Sequence, residues 1–128
     1  MNNIKKLQQL FKSKDAIIGI IGLGYVGLPL ALNFVENKFI TYGFDIDKNK
    51  IKKLNSGRTY IKHINSGKIT DAINNGLIAT DDFNKISSVN VIIICVPTPL
   101  GVHNEPDLSY VENTLGLIEP HLVINQLL

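Results

Sequence analysis

A chain of 128 residues, 45% hydrophobic and 19% charged, has room for one buried core, which excludes a disordered segment and a conventional two-domain enzyme. The formal net charge of +2 comes from scattered groups such as Lys5-Lys6 and Lys52-Lys53, with no basic tract, so no nucleic-acid partner is expected. The single cysteine, Cys95, permits no intramolecular disulfide and no Cys-x-x-Cys zinc grip, as suits a reducing, cytoplasmic setting.

From the N-terminus, residues 1–11 mix Asn, Lys and Gln with apolar residues and lack the apolar centre of an export signal. Residues 16–21 form a short β-branched run with almost no polar break, the pattern of a strand buried on both faces of a parallel sheet. Leu28, Leu32 and Val35, with Ala31 beside them, follow at helical spacing, and Asn37-Lys38 closes that helix. Residues 39–44 read as a second strand. Ile46, Ile51 and Leu54 then place apolar groups on one side of a lysine-rich helix that ends near Gly57.

Residues 68–75 form a short helix closed by Gly76, residues 77–79 a short strand and residues 81–86 a helical turn. Residues 91–96 are the longest purely apolar run; they make a central strand and fall far short of the roughly 20 residues that a membrane-spanning helix needs, so no membrane partner is expected. Pro97, Pro99, Gly101 and Pro106 punctuate a loop, Asp107 caps a helix bearing Val111, Leu115 and Ile118, and residues 121–125 are read as a last strand. The alternation predicts an α/β fold, a doubly wound parallel sheet with strand order 3-2-1-4-5, filling one domain over residues 1–128.

Gly22-Leu23-Gly24-Tyr25-Val26-Gly27 has G-x-G-x-x-G spacing between a predicted strand and a predicted helix, the context of a Rossmann-type dinucleotide site. Gly22 permits the tight turn, Gly24 leaves room for a pyrophosphate, and Gly27 lets the helix approach the sheet. The bare spacing also suits a plain glycine turn. Asp45 weighs against that, since it lies 18 residues after Gly27 at the end of the second strand, where a carboxylate accepts the ribose hydroxyls and repels a 2′-phosphate. NAD is therefore favoured over NADP. Asp47 is better placed as a helix cap than as a second ribose ligand, and Lys50 either faces the adenosine edge or is a solvated lysine. Val96, Pro97 and Thr98 follow the central strand at the carboxyl edge, where Thr98 reaches a cofactor or the prolines simply stiffen the loop; Cys95 is read as a buried strand residue. His63, His103 and His121 share no metal-ligand spacing, and Asp107, Ser109 and Glu112 read as capping residues.

The string Ile20-Ile21-Gly22-Leu23-Gly24-Tyr25-Val26-Gly27-Leu28-Pro29-Leu30-Ala31, with Asp45-Ile46-Asp47, resembles the UDP-glucose/GDP-mannose dehydrogenase family. Tyr60-Ile61-Lys62-His63-Ile64, Cys95-Val96-Pro97-Thr98-Pro99-Leu100 and Glu105-Pro106-Asp107-Leu108-Ser109-Tyr110-Val111 resemble its branch acting on UDP-N-acetylhexosamines; the likeness runs over about residues 17–122. The resemblance implies NAD as cofactor, contacted by Gly22, Leu23, Gly24, Tyr25, Val26, Gly27, Asp45, Lys50, Val96, Pro97 and Thr98. It implies oxidation of a sugar C6 alcohol to a carboxylate through a cysteine thiohemiacetal and thioester, for surface polysaccharide. The family's cysteine, lysine and asparagine lie downstream, and its Glu-Ser-Thr segment and Pro-Gly turn give way here to residues 123–128.

The expectation is therefore an incomplete NAD-binding domain, a fragment from a truncated or split gene. It has no catalytic residue and no metal, meets its UDP-sugar only through an absent substrate domain, and is prone to association through an exposed sheet edge. A stand-alone NAD-binding regulatory or docking module is the alternative, and a dehydrogenase of the hydroxyacid type ranks below both.

Overall fold

The computed structural model describes residues 3–128; Met1 and Asn2, the start of the segment read for an export signal, lie outside the described residues. In chain order the elements are α1 (Asn3–Ser13), β1 (Ile18–Ile21), α2 (Gly27–Glu36), β2 (Thr41–Phe44), α3 (Lys48–Asn55), α4 (Ser66–Asn74) and β3 (Leu77–Thr80). A 3₁₀ helix (Phe83–Ser88), β4 (Val91–Ile94), α5 (Ser109–Ile118) and a second 3₁₀ helix (Glu119–His121) follow. No helix among the described residues is long and apolar enough to cross a membrane.

The four strands form one parallel sheet in the order β3-β2-β1-β4. Strand side chains alternate between two cores, as the two-residue period of a strand requires. Ile18, Ile20 and Val91 join Leu28, Ala31 and Val35 of α2, Ile51 and Leu54 of α3, and Ile69 and Ala72 of α4. Ile21, Phe44 and Ile92 pack on the other face with Ile86 and Ile118. Helices on both faces keep the sheet dry and account for the unbroken apolar runs of β1 and β4.

Local chemistry sets the element ends. The Asp47 carboxylate accepts the amides of Asn49 (2.9 Å) and Lys50 (3.3 Å), so α3 starts at Lys48, and Ile46, expected on its apolar side, stands outside it and exposed. Asn65 accepts the Lys68 amide (2.9 Å) and begins α4 two residues before the expected position. Asp107, expected as the cap of α5, is not its N-cap: that position is Leu108, with no side-chain cap. The Asp107 carboxylate accepts the Ser109 amide (2.9 Å) one residue further out, and the side-chain and backbone hydrogen bonds from Ser109 hold its carboxyl below the usual carboxylate range.

Two expectations are corrected. Residues 121–125 form no strand: Glu119–His121 continue α5 as a 3₁₀ helix, and Asn125 turns the chain at φ 76°. Gln126 then ties that turn down, donating to the carbonyls of Ile86 (2.6 Å) and Val89 (2.9 Å), and one parallel bridge, Leu127 with Val91, occupies the fifth position of the sheet. The apolar face of α5 is also rotated: Thr114 and Ile118 are its buried residues, while Leu115 is exposed.

The sequence reading had no place for α1, yet Leu7, Leu10 and Phe11, at i, i+3 and i+4, pack their stripe on the larger core. Phe11 meets Phe39 edge to face at 5.7 Å, and Lys14, at φ 65°, turns the chain so that the amides of Asp15 and Ala16 reach the Leu10 carbonyl. Phe11→Ala should lower the unfolding free energy by about 2 kcal/mol in denaturant titrations. An unchanged midpoint would mean that α1 does not dock.

Candidate functional site

All four strands are in register, so Ile21, Phe44, Thr80 and Ile94 end the sheet at one level, and Gly22, Asp45 and Cys95 leave it side by side. Carboxyl edges of open parallel sheets are where ligands bind. Here the edge opens into a cavity of about 670 Å³, within the range of small-molecule sites.

Each glycine of the first loop meets a different constraint. Gly22 sits at φ 95°, in the left-handed region, and a Cβ there would lie 2.5 Å from the Cys95 carbonyl oxygen. A Cβ on Gly27 would lie 1.6 Å from the Gly22 carbonyl oxygen, so α2 starts against the loop only because residue 27 has no side chain. Gly24 is the reverse case: nothing stands within 4 Å of its missing Cβ, and its open side lines the cavity.

The Asp45 carboxylate, buried at 9% exposure, accepts the Leu23 amide on Oδ2 and the Asp47 amide on Oδ1, both at 2.9 Å. An ionised carboxylate has about four acceptor positions, so capacity remains for hydroxyls entering the cavity. The amides of Gly24, Tyr25 and Val26 meet no acceptor among the described residues. They immediately precede α2, whose N-terminus has no side-chain cap and carries the positive end of the helix dipole. Unpartnered amides, a missing Cβ and a carboxylate with spare acceptors together fit a dinucleotide diphosphate and its ribose.

Gly22, Leu23, Gly24, Tyr25, Val26, Asp45, Lys50, Val96, Pro97 and Thr98 line this one cavity. Gly27 does not; it supports the loop from behind. Asp47 is the helix cap and lines a neighbouring cleft. Lys50 is half-buried and holds its Nζ 5.6 Å from the centre of the Tyr60 ring. Cys95 is corrected: β4 ends at Ile94, and the half-buried thiol lines the cavity, with burial pushing its pKa up.

Sequence reasoning missed Ile46 and Phe83, and it missed the wall supplied by α5. Tyr110, Asn113, Thr114 and Leu117 face the cavity at i, i+3, i+4 and i+7, a spacing that was readable as one helical face. Tyr60 stands in the sequence only as part of a family string, yet its hydroxyl donates to the Leu23 carbonyl in the glycine loop.

Comparison with known proteins bears on the same region. The family profile described as "UDP-glucose/GDP-mannose dehydrogenase family, NAD binding domain" matches residues 16–128. A UDP-N-acetyl-D-mannosamine dehydrogenase of Pyrococcus horikoshii is 39% identical over 103 residues, 79% of this chain and 24% of that protein. A UDP-N-acetyl-D-glucosamine 6-dehydrogenase of Pseudomonas aeruginosa is 35% identical over 96 residues, 75% of this chain and 22% of that protein. Among solved structures, UDP-D-ManNAc dehydrogenase from Pyrococcus horikoshii superposes with a TM-score of 0.78 at 35% identity, covering 86% of this chain and 27% of that one. A ternary complex of GDP-mannose dehydrogenase from Pseudomonas aeruginosa gives 0.74 at 29% identity, covering 81% and 24%. The chain spans about a quarter of the length of the curated relatives it matches.

Gly27→Ala is expected to fail through folding, since the new methyl group has backbone on its far side and no flexible neighbour to displace. The loss should reach about 3 kcal/mol or more in unfolding free energy. A melting midpoint equal to that of the unmodified chain would contradict the close approach.

Proposed function

The chain belongs to the UDP-glucose/GDP-mannose dehydrogenase family, whose NAD-binding domain it carries, and from that premise we propose that it serves the oxidation of the C6 alcohol of a UDP-N-acetylhexosamine to the uronic acid, for surface polysaccharide. Support for the substrate class comes from relatives named UDP-N-acetyl-D-mannosamine dehydrogenase and UDP-N-acetyl-D-glucosamine 6-dehydrogenase. A cytoplasmic location and a UDP-sugar held by residues beyond this chain belong to the same proposal.

One observation carries the cofactor assignment. A single cavity joins the unpartnered amides of the glycine loop to the buried Asp45 carboxylate. When bound, NAD supplies the hydride acceptor; the chain's part is to hold and orient it. The amides of Gly24, Tyr25 and Val26 would receive the diphosphate, Asp45 the adenosine ribose, and Lys50, Val96, Pro97 and Thr98 the rest of the nucleotide wall. A ligand with a 2′-phosphate would bring its charge onto the Asp45 carboxylate in a site where burial strengthens the repulsion.

Cys95 is not proposed as the nucleophile. Covalent catalysis needs an activated thiolate, and burial at the cofactor loop raises the Cys95 pKa and stabilises the thiol. Turnover is therefore assigned to residues outside this chain.

Calorimetry should show tighter binding of NAD than of NADP, and Asp45→Ala should weaken NAD by about tenfold to a hundredfold while narrowing that gap. Equal affinities in the unmodified chain would reject the assignment. Gly24→Ala should melt like the parent, because its Cβ enters open space, yet bind NAD poorly; unchanged NAD affinity would remove the diphosphate from the loop. Supplied with NAD and UDP-N-acetylglucosamine, the purified 128-residue chain should form no NADH above background, and steady turnover would overturn that part of the proposal.

A further inference from the structure

We infer that Tyr60 is a positioning residue of the phosphate loop: its hydroxyl holds the Leu23 carbonyl and thereby aims the Gly24 N–H into the cavity. The inference rests on the NAD reading above and goes beyond it, since Tyr60 does not line the NAD cavity.

The geometry follows from the peptide unit. The Tyr60 hydroxyl donates a short hydrogen bond to the Leu23 carbonyl oxygen, bridging 37 positions of sequence. The peptide joining Leu23 to Gly24 is planar and trans, as are all the described peptide bonds, so its C=O and N–H point in opposite directions. Fixing the carbonyl toward Tyr60 turns the Gly24 amide to the opposite side, and Gly24 faces the cavity. The preceding peptide is fixed separately, by the Leu23 amide on Asp45 Oδ2 at 2.9 Å. Leu23 is thus gripped at both ends, its own side chain fully buried.

Tyr60 itself is braced. Thr59 Oγ1 donates to the Ile61 carbonyl and accepts the Ile61 amide, each at 3.1 Å, while Ile61 and Ile64 are buried in the larger core. The Lys50 ammonium stands over the ring at 5.6 Å. Burial first, then the charges of Asp45 and Asp47, raises the phenol pKa, so Tyr60 remains a donor well into alkaline solution. A donor of this kind gives an anion-binding loop an orientation that the glycines, which have no side chains, cannot supply.

The test is Tyr60→Phe in the full chain, which keeps the ring beneath Lys50 and removes only the hydroxyl. Affinity for NAD and for ADP-ribose, which share the diphosphate, should fall by about threefold to tenfold, while adenosine, which has no phosphate, should bind as before. In nitrogen-15 spectra of the same variant the Gly24 amide should shift and its response to NAD should shrink. An equal loss for NAD and adenosine would mark a general structural defect and overturn the inference, as would unchanged binding of all three ligands. A chain that loses cooperative melting on Tyr60→Phe would also overturn it, because the residue would then support the fold and not the aim of one amide. If the unmodified chain binds no NAD, the reading under Proposed function falls first; if it binds NAD and Tyr60→Phe matches it, only the present inference fails.

Discussion

Of the glycines, Gly27 has the least room for a side chain: a methyl group there would overlap the Gly22 carbonyl oxygen. That contact forces the chain to reverse from β1 into α2 within a few residues, and the rest of the site inherits its geometry. Because the turn is so tight, α2 begins beside the carboxyl edge of the sheet, directly after the unpartnered amides of Gly24, Tyr25 and Val26. Because β1, β2 and β4 are in register, the same level brings Asp45 from one neighbour and Cys95 from the other. The sheet decides which residues are adjacent, and the absence of two side chains decides how near the helix can come.

The parts of the site legible in sequence are those whose constraint is local. Gly22, Gly24 and Gly27 are spaced by the turn they make, and Asp45 follows from the length of one helix and one strand. Other features depend on contacts that close across the fold. Tyr60 reaches Leu23 across 37 positions that include α2, β2 and α3, and no spacing rule announces it. Cys95 reads as a strand residue from composition, but the ladder ends at Ile94, and the thiol then lies beside the Gly22 turn and not inside the sheet.

Some failures of the sequence reading were of interpretation. Leu7, Leu10 and Phe11 make a helical stripe in a segment whose mixed polar composition hides it. Ile46 fits the period of α3, yet the Asp47 cap starts the helix after it and leaves Ile46 on the cavity wall. At residues 121–125 the apolar pattern suggested a strand, but the 3₁₀ turn containing Pro120 delays the chain, and pairing with β4 comes only at Leu127. In the last two cases a capping or turn residue displaced the expected element, and in a strand or helix a small displacement is enough to change the face that a side chain occupies.

Asp45 does two jobs with one carboxylate. It faces the cavity, and it also fastens Leu23 and Asp47 through their amides. Residues that choose between cofactors are commonly regarded as exchangeable, since a smaller or basic side chain admits a 2′-phosphate. On the proposed NAD reading, such an exchange would release the Leu23 amide of the glycine loop and the Asp47 amide before α3, so selectivity and loop architecture would be inherited together. Redesign toward NADP would have to begin by building new acceptors for the Leu23 and Asp47 amides, and a lineage drifting toward NADP would meet the same order of events: first a substitute scaffold, only then a new preference.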